Sequence, residues 1–245
     1  MSILDADANG VFWGKLDRSS IPPRIHPLRD HAIDVAVTFR SLCDQPWARR
    51  TMVRAARQDL DDKHFDRLGV IALLHDIGKC NWGFQAKRDP NAHRTTGHVQ
   101  EAVALLFDRA VRRLWPAAWL VFLREASAWF VEGEDQLSQT LLAALSHHGR
   151  PLRDADAKAD TTPEWWWKPQ GALDPMRELE ALVDTARRTF PRAFHAASSP
   201  LEACPALQHR FAGLVMLADW IGSDTAFFPY RSSPQEDREA IARGA

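Results

Sequence analysis

Helical periodicity with polar residues set into it constrains this chain most. Leu28, His31, Val35, Phe39 and Leu42 recur at three- and four-residue steps, which puts them on one face of a helix. Leu137, Leu141, Leu145 and His148 follow the same rule, as do Phe211, Val215, Asp219 and Gly222. Leu68, Ile71 and Ala72 lead up to His75 in the same way. An apolar face turns toward the interior. The pattern therefore predicts that three histidines and an aspartate enter one core from four helices.

The spacing predicts helices over 28–42, 51–61, 64–77, 98–113, 117–131, 136–148, 173–190 and 202–222, with Gly78 and Gly149 ending two of them. Residues 1–27 read as an irregular lead-in with a short strand near Val11-Phe12-Trp13. Residues 79–97 and 149–172 read as long loops, a length that usually carries function. There is no internal repeat, domain linker or run of alternating strands. The expected fold is all-α, a helical bundle with two long active-site loops, forming one domain over residues 1–245 with its core in 26–224.

With 45% hydrophobic and 26% charged residues the composition is that of a globular protein, and a net charge of -1 argues against coating nucleic acid by bulk basicity. The basic runs Arg49-Arg50-Arg54-Arg57, Arg109-Arg112-Arg113 and Arg187-Arg188-Arg192 read as solvated helix faces. Cys43, Cys80 and Cys204 contain no CxxC pair, so neither a disulfide framework nor a cysteine zinc site is expected, and a reducing cytoplasm fits. Met1 to Lys15 lack the basic-then-apolar order of a signal peptide, and no apolar run approaches the ~20 residues of a membrane span.

Burying an uncompensated imidazole or carboxylate costs several kcal/mol. One such histidine is satisfied by a backbone carbonyl. For His31, His75, His148 and Asp219 together, a shared divalent cation is the common answer. Imidazole plus carboxylate suits Mn, Fe, Co, Ni or Zn better than Mg or Ca. His98 and His147 bring the candidate ligands beyond what one tetrahedral site needs. Asp76, beside His75, could bridge two ions, and a pair of ions about 3.5–4 Å apart can clamp a phosphodiester during in-line displacement. Lys79 could then reach a phosphate oxygen and stabilise developing charge.

His31, His75-Asp76, His98, His147-His148 and Asp219, in this order, resemble the HD superfamily of metal-dependent phosphohydrolases. More narrowly, the chain resembles the HD nuclease domain of CRISPR-associated Cas3. The likeness is carried by His26-Pro27-Leu28 with His31 and Asp34-Val35-Ala36, His75-Asp76-Ile77-Gly78-Lys79 with Phe84-Gln85, His147-His148-Gly149 and Ala218-Asp219-Trp220-Ile221-Gly222-Ser223-Asp224. It spans residues 26–224.

The resemblance implies a nuclease that cuts single-stranded DNA with two divalent metal ions, drawn from Mn, Fe, Co, Ni or Mg. By that likeness His31, His75, Asp76 and Asp219 hold one ion, and Asp76, His98, His147 and His148 the other. Lys79 assists the phosphate, and Ser223 or Asp224 supports Asp219 from behind. His26, outside the helix that carries His31, supports the site without being a ligand. The implied partners are a Cas3 helicase domain or subunit and a CRISPR RNA-guided surveillance complex (Cascade), with no membrane. The chain departs from Cas3 in one respect: Gly14-Lys15 and Gly78-Lys79 are followed by Leu16 and Cys80, so no phosphate-binding GKS/T loop of a helicase is present. The expectation is a stand-alone nuclease subunit or the portion that precedes a helicase.

Trp82 and Phe84, just after Lys79, could meet DNA or pack in the core, and Arg150, close in sequence to His148, is a candidate DNA contact. Trp165-Trp166-Trp167 could stack on bases or fold onto the core. His64, His93, His195 and His209 read as surface or loop residues. Two other functions compete. One is an HD phosphohydrolase of nucleotides or cyclic nucleotides, against which Gly149-Arg150-Pro151 stands where the cyclic-dinucleotide branch has Gly-Tyr-Pro. The other is an inactive adaptor, which has no reason to keep every ligand.

Overall fold

The computed structural model describes residues 10–20, 23–153, 164–195, 199–230 and 237–245. It opens on a small antiparallel sheet, β1 (Trp13–Asp17) and β2 (Arg24–Pro27), with Lys15 opposite His26 and a bulge between Trp13 and Lys15. The lead-in is thus more ordered than its composition suggests, and its strand lies slightly later than expected.

Helix α1 (Leu28–Asp44) follows without a loop and is the central element, packed against both of its larger neighbours introduced below. It buries residues all round its circumference, including Asp30, His31, Asp34 and Arg40. A helix buried on every side must pair its charges. Arg40 donates to Asp66 at 3.0 Å and also reaches Asp44 and Asp62, while Asp34 is held by His26 and Arg238.

Helix α2 (Pro46–Ala56) begins five residues earlier than expected, because Pro46 suits the first helical turn. It ends at Arg57, which takes the left-handed conformation at φ 54°. Helix α3 (Asp62–Leu73) starts in a reciprocal cap: Asp61 accepts from the His64 backbone N–H, and the Asp61 N–H donates to His64 Nδ1. His64 is therefore buried at 2% exposure, not the surface residue the sequence suggested.

The regular helix stops at Leu73, and Leu74–Cys80 continues as a 3-10 turn. The expected loop over 79–97 is largely structured. Asn81 accepts from the Phe84 N–H and caps α4 (Trp82–Gln85), followed by a 3-10 turn over Ala86–Arg88. This segment is buried from Lys79 to Ala86, and a helix of one turn is too short to leave a period in the sequence.

The helix expected over 98–113 is two, α5 (Val99–Phe107) and α6 (Arg109–Arg112), because Asp108 accepts from the Ala110 and Val111 N–H groups and starts a new turn. Helix α7 (Ala117–Ser127) ends before Phe130, which bridges to Leu201 instead. Helix α8 (Glu134–Leu145) passes into a 3-10 turn over Ser146–His148, closed by Gly149 at φ 80°. Part of the second expected loop, 154–163, lies outside the described residues. Its described end forms a 3-10 turn, Glu164–Trp167, with Trp166 and Trp167 buried.

Helix α9 (Pro175–Thr189) is capped by Asp174, and α10 (Pro205–Gly222) and α11 (Arg238–Gly244) both pack on α1. Helix α3 is the second large neighbour of α1. Among the described residues the fold is a helical bundle with one small two-stranded sheet. Among the described residues no helix is long and apolar enough to cross a membrane.

Candidate metal centre

Asp76 stands at the middle of the site. Its φ of -113° and ψ of 21° leave the helical range within the 3-10 turn. Neighbouring side chains on an α-helix diverge by ~100°, so this break lets His75 and Asp76 face the same point, with His75 Nε2 3.2 Å from Asp76 Oδ2. His31 of α1 adds a second imidazole at 3.2 Å from the same oxygen. Asp219 of α10 completes the group, its Oδ1 3.3 Å from His31 Nε2 and 3.8 Å from His75 Nε2.

The other oxygen of Asp76 faces a different set. Oδ1 lies 3.4 Å from His98 Nε2 and 3.7 Å from His147 Nε2, and His148 Nε2 lies 3.0 Å from His98 Nε2. The donor atoms of His31, His75, Asp76 and Asp219 lie within 4.8 Å of one another, as do those of His98, His147 and His148. All seven residues that the sequence placed at a metal site are thus brought together, in two groups that meet at one carboxylate.

Backbone carbonyls fix two of the rings. His75 Nδ1 donates to Ala72 O and His147 Nδ1 to Ala144 O, each at 3.0 Å, leaving Nε2 as the atom directed at the site. His98 sits where α5 begins, held there by Gly78. A methyl group on Gly78 would come within 1.7 Å of the His98 carbonyl, so only glycine permits this approach. Buried Asn81 donates to both Gly78 O and Gly97 O and ties the 3-10 turn to the entry of α5.

The electrostatics follow from these contacts. Burial opposes charge on His75, yet Asp76 and Asp219 outweigh it and hold its pKa up at about 9. Burial dominates at His98 and His147, pushing them down to about 3 and about 4. Burial also disfavours the Asp76 carboxylate, but Lys79, His75 and His31 keep it well below the usual range. The donor set fits a bound cation: both ring nitrogens of His31, Nε2 of His75 and Oδ1 of Asp76 are buried with no hydrogen bond among the described residues, while Asp76 Oδ2 has the Lys79 ammonium as its ion-pair partner. Buried polar atoms left in this state are costly, and converging lone pairs of imidazole and carboxylate are what a divalent ion satisfies.

The supporting residues fall out differently from expectation. Ser223 Oγ donates to Asp219 Oδ1 at 3.0 Å. Asp224 is exposed and accepts from the Ala226 N–H, so it shapes the turn after α10 and does not touch Asp219. His26 pairs with Asp34 at 2.7 Å, behind the ligands. Lys79 is not free to reach outward: at 5% exposure its Nζ lies 2.6 Å from Asp76 Oδ2 and donates to Gly14 O. Trp82 and Phe84 are interior. The Trp82 indole donates to Trp165 O and packs on Trp166, while Phe84 stacks on Trp13. The tryptophan triplet therefore folds onto α4. Arg150 is exposed, two residues beyond His148.

The family model described as Cas3, HD domain matches residues 13–228. The chain belongs to the Cas3 HD domain family. The fold of this HD domain is similar to that of the Thermus thermophilus cas3 HD domain crystallised in the presence of Ni2+, with 20% identity, a TM-score of 0.55, and 89% of this chain covering 81% of that one. It is also similar to a chain in a pre-nicking CRISPR RNA-guided surveillance complex (21% identity, TM-score 0.61, 96% of this chain and 27% of that one). T. fusca Cas3-ATP gives 20% identity and a TM-score of 0.59 over 96% of this chain and 26% of that one. The chain thus spans about a quarter of the length of these longer relatives. No curated protein matches it by sequence.

Several contacts of the site leave no signal in the sequence of this HD domain. Lys15 of β1 lies 3.2 Å from Asp219 Oδ1, and the Gly14 carbonyl before it receives Lys79. Asp34 and Arg238 form a fully buried pair 204 residues apart. A two-stranded sheet with a bulge has too short a period to announce its inward residue, and long-range pairs leave no spacing at all.

Proposed function

We propose that this protein is a dinuclear metal-dependent nuclease that hydrolyses phosphodiester bonds of single-stranded DNA in CRISPR interference. One observation carries the reading: the two oxygens of Asp76 face two separate groups of histidines. Under this reading His31, His75, Asp76 and Asp219 hold one ion, and Asp76, His98, His147 and His148 the other. Divalent ions bound there supply Lewis acidity for in-line displacement at phosphorus.

The chain's own residues prepare the reaction. Ala72 O and Ala144 O hold the His75 and His147 rings in place, and Lys79 pairs with Oδ2 of the Asp76 carboxylate. His98, with its side chain 18% exposed, and exposed His148 form an edge at which a strand can enter, and exposed Arg150 follows two residues after His148. A strand with unpaired bases suits an enclosed site better than a duplex does. The similarity to longer Cas3 chains supports a helicase and an RNA-guided surveillance complex as working partners.

The test is incubation with circular single-stranded DNA and Mn or Ni. Cleavage that a chelator stops is expected. Turnover of a free nucleotide in place of any DNA cleavage would move the assignment to a nucleotide phosphohydrolase on the same fold.

A further inference from the structure

Among the described residues two lysines meet the ligand carboxylates, and they are not equivalent. Lys79 is enclosed, with its ammonium shared between Asp76 and the Gly14 carbonyl. Lys15 approaches from the open side: its side chain is 24% exposed, against 6% for Lys79, and its Nζ lies 3.2 Å from Asp219 Oδ1. That oxygen is the one that faces His31 and His75. An ammonium here stands directly beside the ligand atoms and still reaches solvent.

The strand around Lys15 is built to hold it there. The Trp13 N–H donates to Gln85 Oε1, the Trp13 indole donates to Gln85 O, and Gln85 Nε2 donates back to Trp13 O. Gly14 then passes so close to α1 that a methyl group on it would lie 3.0 Å from His31 Cβ. The bulge between Trp13 and Lys15 locally re-aims the strand, a common use of bulges beside active sites. Lys15 opposite His26 is the inward result. This arrangement orients a cation toward the site, whereas a solvated edge lysine needs none of it.

We infer that Lys15 is the residue that contacts a phosphate of the bound strand, beside the group formed by His31, His75, Asp76 and Asp219. The inference rests on the nuclease reading. Lysine binds phosphate as a point charge on a flexible stem, and the 24% exposure leaves the stem free to turn from Asp219 toward a strand. Lys79, by contrast, is a positioning residue for Asp76.

Binding of a fluorescein-labelled single-stranded phosphorothioate oligonucleotide in Mn, measured by anisotropy across a salt series, tests this. The sulfur substitution keeps the backbone charge and slows hydrolysis. Each phosphate contact to a single strand contributes about -0.7 to the slope of log K against log salt. Lys15→Met and Lys15→Gln are expected to bind more weakly, with slopes shallower by about 0.7, and to keep the wild-type Mn content by atomic absorption. Lys15→Arg is expected to retain the wild-type slope.

Slopes unchanged in both neutral variants while wild-type protein binds would overturn the inference alone. So would a loss of Mn from those variants with the slope preserved, which reduces Lys15 to a partner of Asp219. Wild-type protein that neither binds the oligonucleotide nor cuts DNA in any metal overturns the nuclease reading and this inference with it.

Discussion

Lys79 Nζ lies 2.6 Å from Asp76 Oδ2 inside the protein, where both side chains are almost fully buried. The lysine therefore neutralises the carboxylate on which both histidine groups converge. Removing one partner of a buried pair strands the other charge, at a cost of about 3–5 kcal/mol. Lys79→Met is expected to lower the melting temperature of chelator-treated protein by roughly 10 °C, at ~2–4 °C per kcal/mol for a chain of this size. Added Mn should recover more stability in the variant than in wild type, because the ion takes over the neutralisation of Asp76. An unchanged melting temperature would sink this role for Lys79.

The shared position of Asp76 makes it different from every other candidate ligand. Asp76→Asn should weaken metal binding at both groups, and His98→Ala only at the group it belongs to. Metal analysis should give close to two ions per chain for wild type, close to one for His98→Ala and fewer for Asp76→Asn. Asp76→Ala should abolish DNA cleavage with the far-ultraviolet circular dichroism of the helices retained. Equal ion content in all of these proteins would remove Asp76 from the bridging position.

The protonation of the histidines sets opposite pH limits on chelator-treated protein. His98 and His147 are pushed down, chiefly by burial, to about 3 and about 4. The unfolded chain then binds protons that the folded chain refuses, so their stability contribution is present above pH ~6.5 and is lost as pH falls toward those values. His75 is the reverse case. Burial works against its charge, but Asp76 and Asp219 hold its pKa up at about 9. Its contribution is full below pH ~6.5 and is lost as pH rises through 9. Urea denaturation across pH 4–9 should show stability declining on both sides of about pH 6.5. A ligand must shed its proton to bind metal, so Mn affinity should rise by up to about tenfold per pH unit below pH 9 for the one proton His75 releases.

What the sequence disclosed follows a physical rule. His31, His75 and Asp219 announce themselves because each interrupts an apolar stripe on a helix long enough to have a period, and the structure brings these three together. Three short-range features break that period. The 3-10 turn redirects Asp76, Asn81 caps a one-turn helix inside an apparent loop, and Asp108 splits a helix in two. Each is decided by a side chain capping a backbone group or by a tertiary contact, and neither repeats along the chain. Lys15 and Arg238 are less legible still. They reach the carboxylates of Asp219 and Asp34, each 204 residues away, by sheet pairing and helix docking. For Trp82 and Phe84 the sequence allows either a substrate contact or core packing, and the structure buries both.

The docking of α11 rests on Arg238, whose Nε and Nη2 donate to the two oxygens of Asp34 at 2.7 and 2.6 Å. Both side chains are fully buried, and His26 takes the remaining approach to Asp34. Asp34 is one helical turn beyond His31, so the pair braces the part of α1 that carries a candidate ligand. Arg238→Met should cost about 3–5 kcal/mol by stranding Asp34, and Asp34→Leu should cost a similar amount by stranding Arg238. The double variant removes both charges and should cost clearly less than the sum, with a coupling of about 0.5–3 kcal/mol in a urea double-mutant cycle. Strictly additive costs would mean that Arg238 and Asp34 do not act as a pair, and that α11 is held by Phe228 and Ala242 packing on Ile33 and Val37 instead.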